Sequence, residues 1–274
     1  MKTTLLSGTF LLLSVMPLFV KAEQCNDVDK KVQVSAVYPT ADTLPENLLR
    51  FYIYFDHPIR AEKPLSHIYL TNQRGERLDG VFLENKFNLW SPDRTRLTLL
   101  FDPGRVKTGL VANHTLGRAL QQGSSYNLVI DIGSISRLAC TSIYTKTFYV
   151  EEAHYSKPTI SEWLVNHPKL GTEQPLTIDF QAPMDHTSLA YRIRIKDNDN
   201  NIVSGFIDLG SQEKQWIFTP DQSWSANKTY SLFIDPILED IVGNRLTGLF
   251  DQPSLSEESM NLNNKVEVAI KFTN

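Results

Sequence analysis

Short runs in which apolar and polar residues alternate make up much of the chain, and residues typical of turns separate them. One run places Phe51, Ile53 and Phe55 on one side and Tyr52 and Tyr54 on the other. Successive side chains of a β-strand point to opposite faces, so such a run sends one set inward and the other toward water or another layer. Similar alternation occurs at 97–101, 126–130 and 266–272. We therefore predict an all-β fold of antiparallel strands packed as sandwiches.

The chain also repeats itself at an offset of 125 residues. Phe55 with Pro58 corresponds to Phe180 with Pro183, and in both copies a polar turn (72–76 and 197–201) separates two predicted strands, as a hairpin requires. The later match of 126–131 with 230–235 has an offset of 104, so the first copy holds additional residues, most of them near 104–122. We predict two tandem β-sandwiches, 23–152 and 153–274, joined near 151–158.

These motifs resemble bacterial immunoglobulin-like domains of adhesins, surface-layer proteins and modular exported enzymes. The resemblance rests on the strands with Phe55 and Pro58 and with Tyr126, on the hairpin ending at Gly80, and on their counterparts in the second copy. The stretch 240–244, Asp-Ile-Val-Gly-Asn, looks like the D-x-x-G-N turn of such domains, whereas the first copy has Ile-Gly-Ser-Ile in the corresponding place. The resemblance implies a fold and a compartment but no particular chemistry.

The N-terminal segment has the pattern of an export signal. Lys2 precedes an apolar stretch over 5–20, and small residues follow at a site suited to cleavage after Ala22. The signal peptide is thus predicted at 1–22, and no later span is expected to hold the mature protein in a membrane. The two cysteines of the chain, Cys25 and Cys140, are predicted to form a disulfide, because an even pair in an exported protein is typical of one.

Charge and motif content exclude several classes of function. The formal charge of −4 gives no electrostatic footprint for nucleic acid or for an anionic membrane surface. The chain contains no G-x-S-x-G, H-E-x-x-H, P-loop or G-x-G-x-x-G motif, so no catalytic residue and no cofactor is predicted. The six histidines lack paired ligand spacing, and no metal site is assigned. A site assembled by folding from histidines and carboxylates stays open as an alternative.

An Asn- and Asp-rich stretch at 197–201 resembles the opening of a calcium loop. An EF-hand needs Gly at the sixth position and Glu at the twelfth, where this chain has Ile202 and Asp208. The register with the first copy favours a simple hairpin turn, because Asn and Asp tolerate left-handed backbone conformations.

The candidate binding surface combines one strand with the inserted segment. Tyr52 and Tyr54 point away from the predicted core, and the insert supplies Arg105, Lys107 and His114. Outward tyrosines stack on sugar rings or anchor protein partners, and loops on rigid sandwiches often bind. In the alternative interpretation, the two tyrosines lie under the insert or against the second domain.

Taken together, these features predict a non-catalytic protein that is periplasmic or secreted. It would act as a binding or structural module of the bacterial envelope through contacts with a protein or a polysaccharide. The alternative is a periplasmic metal-binding protein that uses histidine and carboxylate ligands brought together by the fold.

Overall fold

The computed structural model describes residues 32–60, 64–83, 89–140, 142–251 and 266–273. The predicted signal peptide (1–22) and Cys25 lie outside these ranges. Two separate hydrophobic cores organise the described residues. We call the described residues up to Glu151 the first domain and those from residue 159 onward the second domain. The predicted all-β fold of two sandwiches is therefore confirmed.

The first domain consists of a three-stranded sheet, in the order β1-β3-β6, that faces a five-stranded sheet, in the order β2-β8-β7-β4-β5. All pairs are antiparallel except β2 with β8, which is parallel. The strands are β1 (Val34–Tyr38), β2 (Thr43–Pro45), β3 (Arg50–Phe55), β4 (Ile68–Asn72), β5 (Arg77–Leu78), β6 (Arg96–Leu100), β7 (Ser125–Ile130) and β8 (Tyr144–Glu151). A 3-10 turn, Pro64–His67, precedes β4.

The second domain pairs a four-stranded sheet, in the order β12-β13-β10-β9, with a three-stranded sheet, in the order β11-β14-β15. Its strands are β9 (Leu164–Asn166), β10 (Leu176–Asp179), β11 (Ile193–Asp197), β12 (Gly205–Leu209), β13 (Gln215–Pro220), β14 (Tyr230–Ile234) and β15 (Val266–Ala269). Every pairing in both sheets is antiparallel. The last predicted strand, 266–272, is shorter in the structure and ends at Ala269.

Helices in the described residues are short and connect strands. They are α1 (Pro103–Val106), α2 (Val111–Leu116), α3 (Ile132–Ile135) and α4 (His186–Arg192), with 3-10 turns at Ile160–Glu162 and Ser211–Glu213. The insert near 104–122 thus forms α1 and α2. Asp102 caps α1 by accepting a hydrogen bond from the Gly104 amide, and Pro103 occupies the first turn, where a missing N–H costs nothing.

The two predicted hairpin turns have the same hydrogen-bond geometry. Asn72 Oδ1 accepts from the amides two and four residues later, and Asp197 Oδ1 does the same in the second domain. Gly75 and Asn200, which are 125 residues apart, both have left-handed φ angles of 79° and 63°. Asp197 Oδ2 also accepts from Lys228 Nζ at 2.7 Å, so this carboxylate is fully used by the turn and a cation. The geometry fits the simple-turn interpretation of 197–201.

Candidate functional site

A buried polar cluster joins the two domains, and we call it the junction. The Tyr52 hydroxyl, on β3 of the first domain, donates to both carboxylate oxygens of Asp185 in the second domain at 2.9 and 3.1 Å. Beside it, Arg50 Nη2 lies 2.7 Å from Glu239 Oε1, and Arg50 Nε lies 3.7 Å from Asp185 Oδ2. Tyr52 and Asp185 are only 4% and 3% exposed, so these bonds are shielded from water. Such buried charge-assisted bonds fix orientation because removing one partner leaves the other unsatisfied.

Local structure explains why the Asp185 carboxylate faces the first domain. Asp185 is the N-cap of α4, and its Oδ1 accepts from the Ser188 amide at 2.8 Å. The remaining acceptor capacity is directed to Tyr52. Burial raises the pKa of Asp185, although Arg50 opposes this shift. Burial and the Asp185 charge likewise raise the pKa of Tyr52, so its phenol keeps the proton that it donates.

An aromatic stack lies next to this cluster. The His186 ring stacks on Tyr38, with 3.5 Å between the ring centroids, and it meets Tyr54 edge-on at 5.6 Å. Burial lowers the pKa of His186 to about 4, and Arg96 adds to the effect. The imidazole is therefore neutral at pH 7 and acts as an aromatic packing group.

A second polar contact between the domains lies at Glu213. Its carboxylate accepts from the amide and the hydroxyl of Thr40 at 2.9 and 2.8 Å. Burial raises the pKa of Glu213, while the Thr40 bonds oppose this shift. A cavity of about 370 Å³ opens between the domains here, lined in part by Tyr38, His186 and Asp208.

The D-x-x-G-N turn identified in the sequence forms a loop that enters the first domain, and we call residues 240–244 the docking loop. Ile241 and Val242 are 3% and 1% exposed and belong to the hydrophobic core of the first domain. Asp240 holds the turn by accepting from the amides of Val242 and Asn244 at 3.0 and 2.8 Å. Burial raises the pKa of Asp240 to about 7. The loop thus completes a core whose other buried members all lie in the first domain.

Gly243 shows how closely the docking loop approaches. Its φ of +85° favours glycine, and a Cβ atom placed there would lie 2.7 Å from Leu49 Cδ2 of the first domain. The Leu49 amide also donates to the Ile241 carbonyl at 3.2 Å.

Two buried asparagines hold the connection between the domains. Asn47 of the first domain exchanges hydrogen bonds with the backbone of His154, at 2.9 and 3.0 Å. Asn244 of the docking loop donates to the Ser156 carbonyl at 3.2 Å. The predicted linker, 151–158, is therefore fixed from both sides by side chains that are 4% and 3% exposed.

The five predicted binding residues lie in two different places. Tyr52 is buried in the junction, and half-buried Tyr54 packs against His186, as the alternative interpretation expected. The second domain covers the outer face of β3, and both tyrosine side chains point into this contact. Their role toward an external partner stays a prediction, and in this arrangement Tyr52 has no surface to offer one.

The three insert residues have separate environments. Arg105 donates to the carbonyls of Gly117, Gly80 and Arg118, and so fastens the insert to the sheet. Lys107 Nζ lies 4.1 Å from the ring centroid of Phe250 in the second domain. His114 is exposed on α2. A binding role for them remains a prediction.

A polar groove of about 550 Å³ lies on the first domain between the β4–β5 hairpin and the insert. Arg105 lines it, which connects the groove to the insert surface singled out in the sequence. The other cations in its walls are Arg74, Arg77 and Arg118, and Asp79 is the one acidic residue in the lining.

The cysteine and metal predictions have different outcomes. Cys140 is not a free cysteine, and its amide donates to the Val32 carbonyl at 2.8 Å, but Cys25 lies outside the described residues. Within the described ranges, no group of three or more His, Cys, Asp or Glu side chains could hold a metal ion. No helix in the part of the chain that the structure describes is long and apolar enough to cross a membrane.

Sequence reasoning missed the charged half of the junction. Arg50, Asp185 and Glu239 are distant in sequence and carry no motif, although Asp185 stands just before a short helical segment as an N-cap would. The D-x-x-G-N turn was identified, but nothing in its sequence indicates that it enters the other domain.

The described residues form two β-sandwiches, which is the architecture of immunoglobulin-like domains. Residues 157–256 match the family model of a bacterial Ig-like domain. No curated protein sequence matches the chain.

Several solved structures share a weak likeness with the chain. The S-layer protein rSbsC is 10% identical, with 88% of this chain and 26% of that one covered and a TM-score of 0.28. The chain thus spans about a quarter of that structure. A fragment of native alpha-2-macroglobulin from Escherichia coli is 13% identical, with 75% and 66% covered and a TM-score of 0.27. Rst D1-D2 is 6% identical, with 89% and 99% covered and a TM-score of 0.25. Likeness at this level carries no functional argument.

Proposed function

We propose that this chain is an exported, non-catalytic module of the bacterial envelope. It holds two immunoglobulin-like domains in one fixed relative orientation and presents the first domain to an envelope component. The predicted signal peptide and the proposed Cys25–Cys140 disulfide belong to this proposal, since both fit an oxidising compartment outside the cytoplasm.

The observation that carries the proposal is the entry of Ile241 and Val242 into the core of the first domain. Domains of one chain that move independently usually meet through small polar contacts. Here an apolar loop completes the partner's core, buried ions bond across the boundary, and two asparagines hold the linker. A rigid pair of domains suits a spacer or a presenting module, because a binding surface with a fixed orientation avoids the entropy cost of ordering it.

The partner in this proposal is a protein or polysaccharide of the envelope. The test is cosedimentation of the folded mature protein with envelope fragments from the organism that produces it. We expect saturable binding that excess unlabelled protein displaces.

A heat-unfolded sample of the same protein is the matched control and should not sediment in a saturable way. Absence of saturable binding by the folded protein would contradict the proposal. Rigidity is measured separately, by the distance experiment that closes the Discussion.

A further inference from the structure

We infer that the polar groove on the first domain binds an acidic polysaccharide, with uronate carboxylates held by its arginines. This inference rests on the proposed function and names the ligand class of its binding surface. The groove, at about 550 Å³, falls within the usual size of ligand sites, which is about 300–1,000 Å³. One wall is the β4–β5 hairpin, the other is the insert, and the start of β7 forms part of the lining.

The charge of the groove opposes that of the whole chain. Four arginines and one aspartate line it, whereas the full chain has a formal charge of −4. Arg118 is neutralised by Glu46 at 3.2 Å, and Arg77 faces Asp79 at 3.4 Å. Arg74 and Arg105 have no carboxylate partner within the described ranges, so one unpaired cation stands on each wall.

The two unpaired cations differ in what they can offer. Arg105 donates its N–H groups to three backbone carbonyls, so it contributes charge and holds the insert wall of the groove in place. Arg74 lies on the exposed hairpin turn, and its guanidinium has no hydrogen bond to the described residues. All five donors of Arg74 are therefore available for a carboxylate, which arginine binds in a bidentate way.

The uncharged polar groups of the groove are also unused. The side chains of Gln73, Gln121, Ser124 and Ser125 line it and make no hydrogen bond to the rest of the described chain. Free amides and hydroxyls on both sides suit a ligand that carries many hydroxyl groups. They give donors and acceptors at several positions, as a sugar chain requires.

The same lining disfavours the other anionic polymers. A protein interface has a desolvated apolar centre, whereas polar side chains form most of the lining of this groove. A nucleic acid needs a broad basic surface, and an acidic chain with two unpaired cations here does not provide one. A polysaccharide with one carboxylate per sugar matches the sparse charge and the abundant hydrogen-bonding groups.

The test is isothermal titration calorimetry of the full mature protein with a tetramer of galacturonic acid. A neutral galactose tetramer and a hexaglutamate peptide are titrated in parallel. We expect heat with the acidic tetramer, weaker affinity at higher salt, and no heat with the neutral one.

Matched variants localise the binding. Arg74→Gln should weaken affinity ~10-fold, since a hydrogen bond between charged groups is lost. Gln121→Ala should weaken it ~3-fold, as a neutral hydrogen bond is lost. Arg137→Gln, another exposed arginine outside the groove, should bind like wild type. Arg74 and Gln121 are both exposed, so neither change should affect thermal unfolding.

The outcomes separate this inference from the proposed function. No heat with the acidic tetramer overturns the inference, as does binding of hexaglutamate alone or equal weakening by Arg137→Gln. If envelope fragments still bind the protein saturably, the module function stands and its surface is elsewhere. If the acidic tetramer binds but envelope fragments do not bind the protein, the groove is a polysaccharide site and the proposed envelope function is wrong.

Discussion

The strand β3 of the first domain and the strand β10 of the second are equivalent, yet their outer faces differ. Inward, apolar residues fill both cores, with Phe51 and Ile53 matched by Leu176 and Ile178. Outward, the first domain has Tyr52 and Tyr54, whereas the second has Thr177 and Asp179. The tyrosines pack against the second domain. Thr177 and Asp179 instead accept hydrogen bonds from Asn166 of the neighbouring strand, at 3.0 and 2.8 Å.

This difference shows what the outer face of a sandwich requires. A face covered by another domain carries aromatic rings with a polar tip, because the ring is buried and the hydroxyl needs a partner. A face that no domain covers carries short polar groups that bond within their own sheet. The same alternating pattern thus serves two purposes, and the chemistry of its outward residues tells them apart.

The largest expected effect comes from the docking loop. Ile241→Ala should lower the free energy of unfolding of the first domain by ~2–5 kcal/mol, because it opens a cavity in that core. The side chain belongs to the second domain in sequence, so this change tests whether the domains share a core.

Hydrogen exchange followed by mass spectrometry reports the stability of each domain separately. Leu246→Ala, two residues beyond the docking loop and packed against the second core, is the matched control. Faster exchange confined to the second domain in Ile241→Ala would contradict the account.

The second-largest effect on stability is expected at Tyr52, on the outer face of β3 that the second domain covers. Tyr52→Phe keeps the ring but leaves Asp185 without its hydroxyl donor, so it should cost ~1.5–3 kcal/mol of unfolding free energy. Urea unfolding measures it. The control is Tyr149→Phe, whose ring is 47% exposed and which should change stability by less than ~0.5 kcal/mol. Equal stability of the two variants would mean that the junction bond contributes nothing.

A smaller effect should depend on pH. The pKa of His186 is lowered to about 4 in the folded protein, so the unfolded chain takes up a proton first as pH falls below ~6.5. Wild type should therefore lose stability relative to His186→Phe, by ~1–2 kcal/mol between pH 7 and pH 4.5. Acid-titrating groups common to both proteins cancel in this difference. A difference that stays constant across urea unfolding curves at these pH values would show that His186 titrates normally.

The smallest effect is expected on the outer face of β10, which the first domain does not contact in the described part of the chain. Thr177→Val removes the acceptor of the Asn166 bond where water can replace it, so stability should change by no more than ~0.5 kcal/mol. Thermal unfolding is sufficient to measure this. A loss as large as that of Tyr52→Phe would erase the distinction between the two faces.

The sequence predicted the sandwiches because alternation and turn residues are local signals. Phe51, Ile53 and Phe55 point inward as expected, and the turns at 72–76 and 197–201 form where Asn and Asp stand. The junction could not be predicted, because alternation shows that Tyr52 points outward but not what covers it. Arg50 and Glu239 are 189 residues apart, and only the packing of the two domains brings them together.

The most direct test of the account is the distance between the two domains in solution. Spin labels on non-canonical residues at Gln73 and Asn198, equivalent positions in the exposed turns, leave both native cysteines intact. Pulsed electron–electron double resonance should give one narrow distance distribution between the two labels in the otherwise wild-type protein. The same labels in an Ile241→Ala, Tyr52→Phe background should give a broader one. A broad distribution in the wild-type background would contradict the claim that the docking loop and the junction hold the two domains as one rigid body.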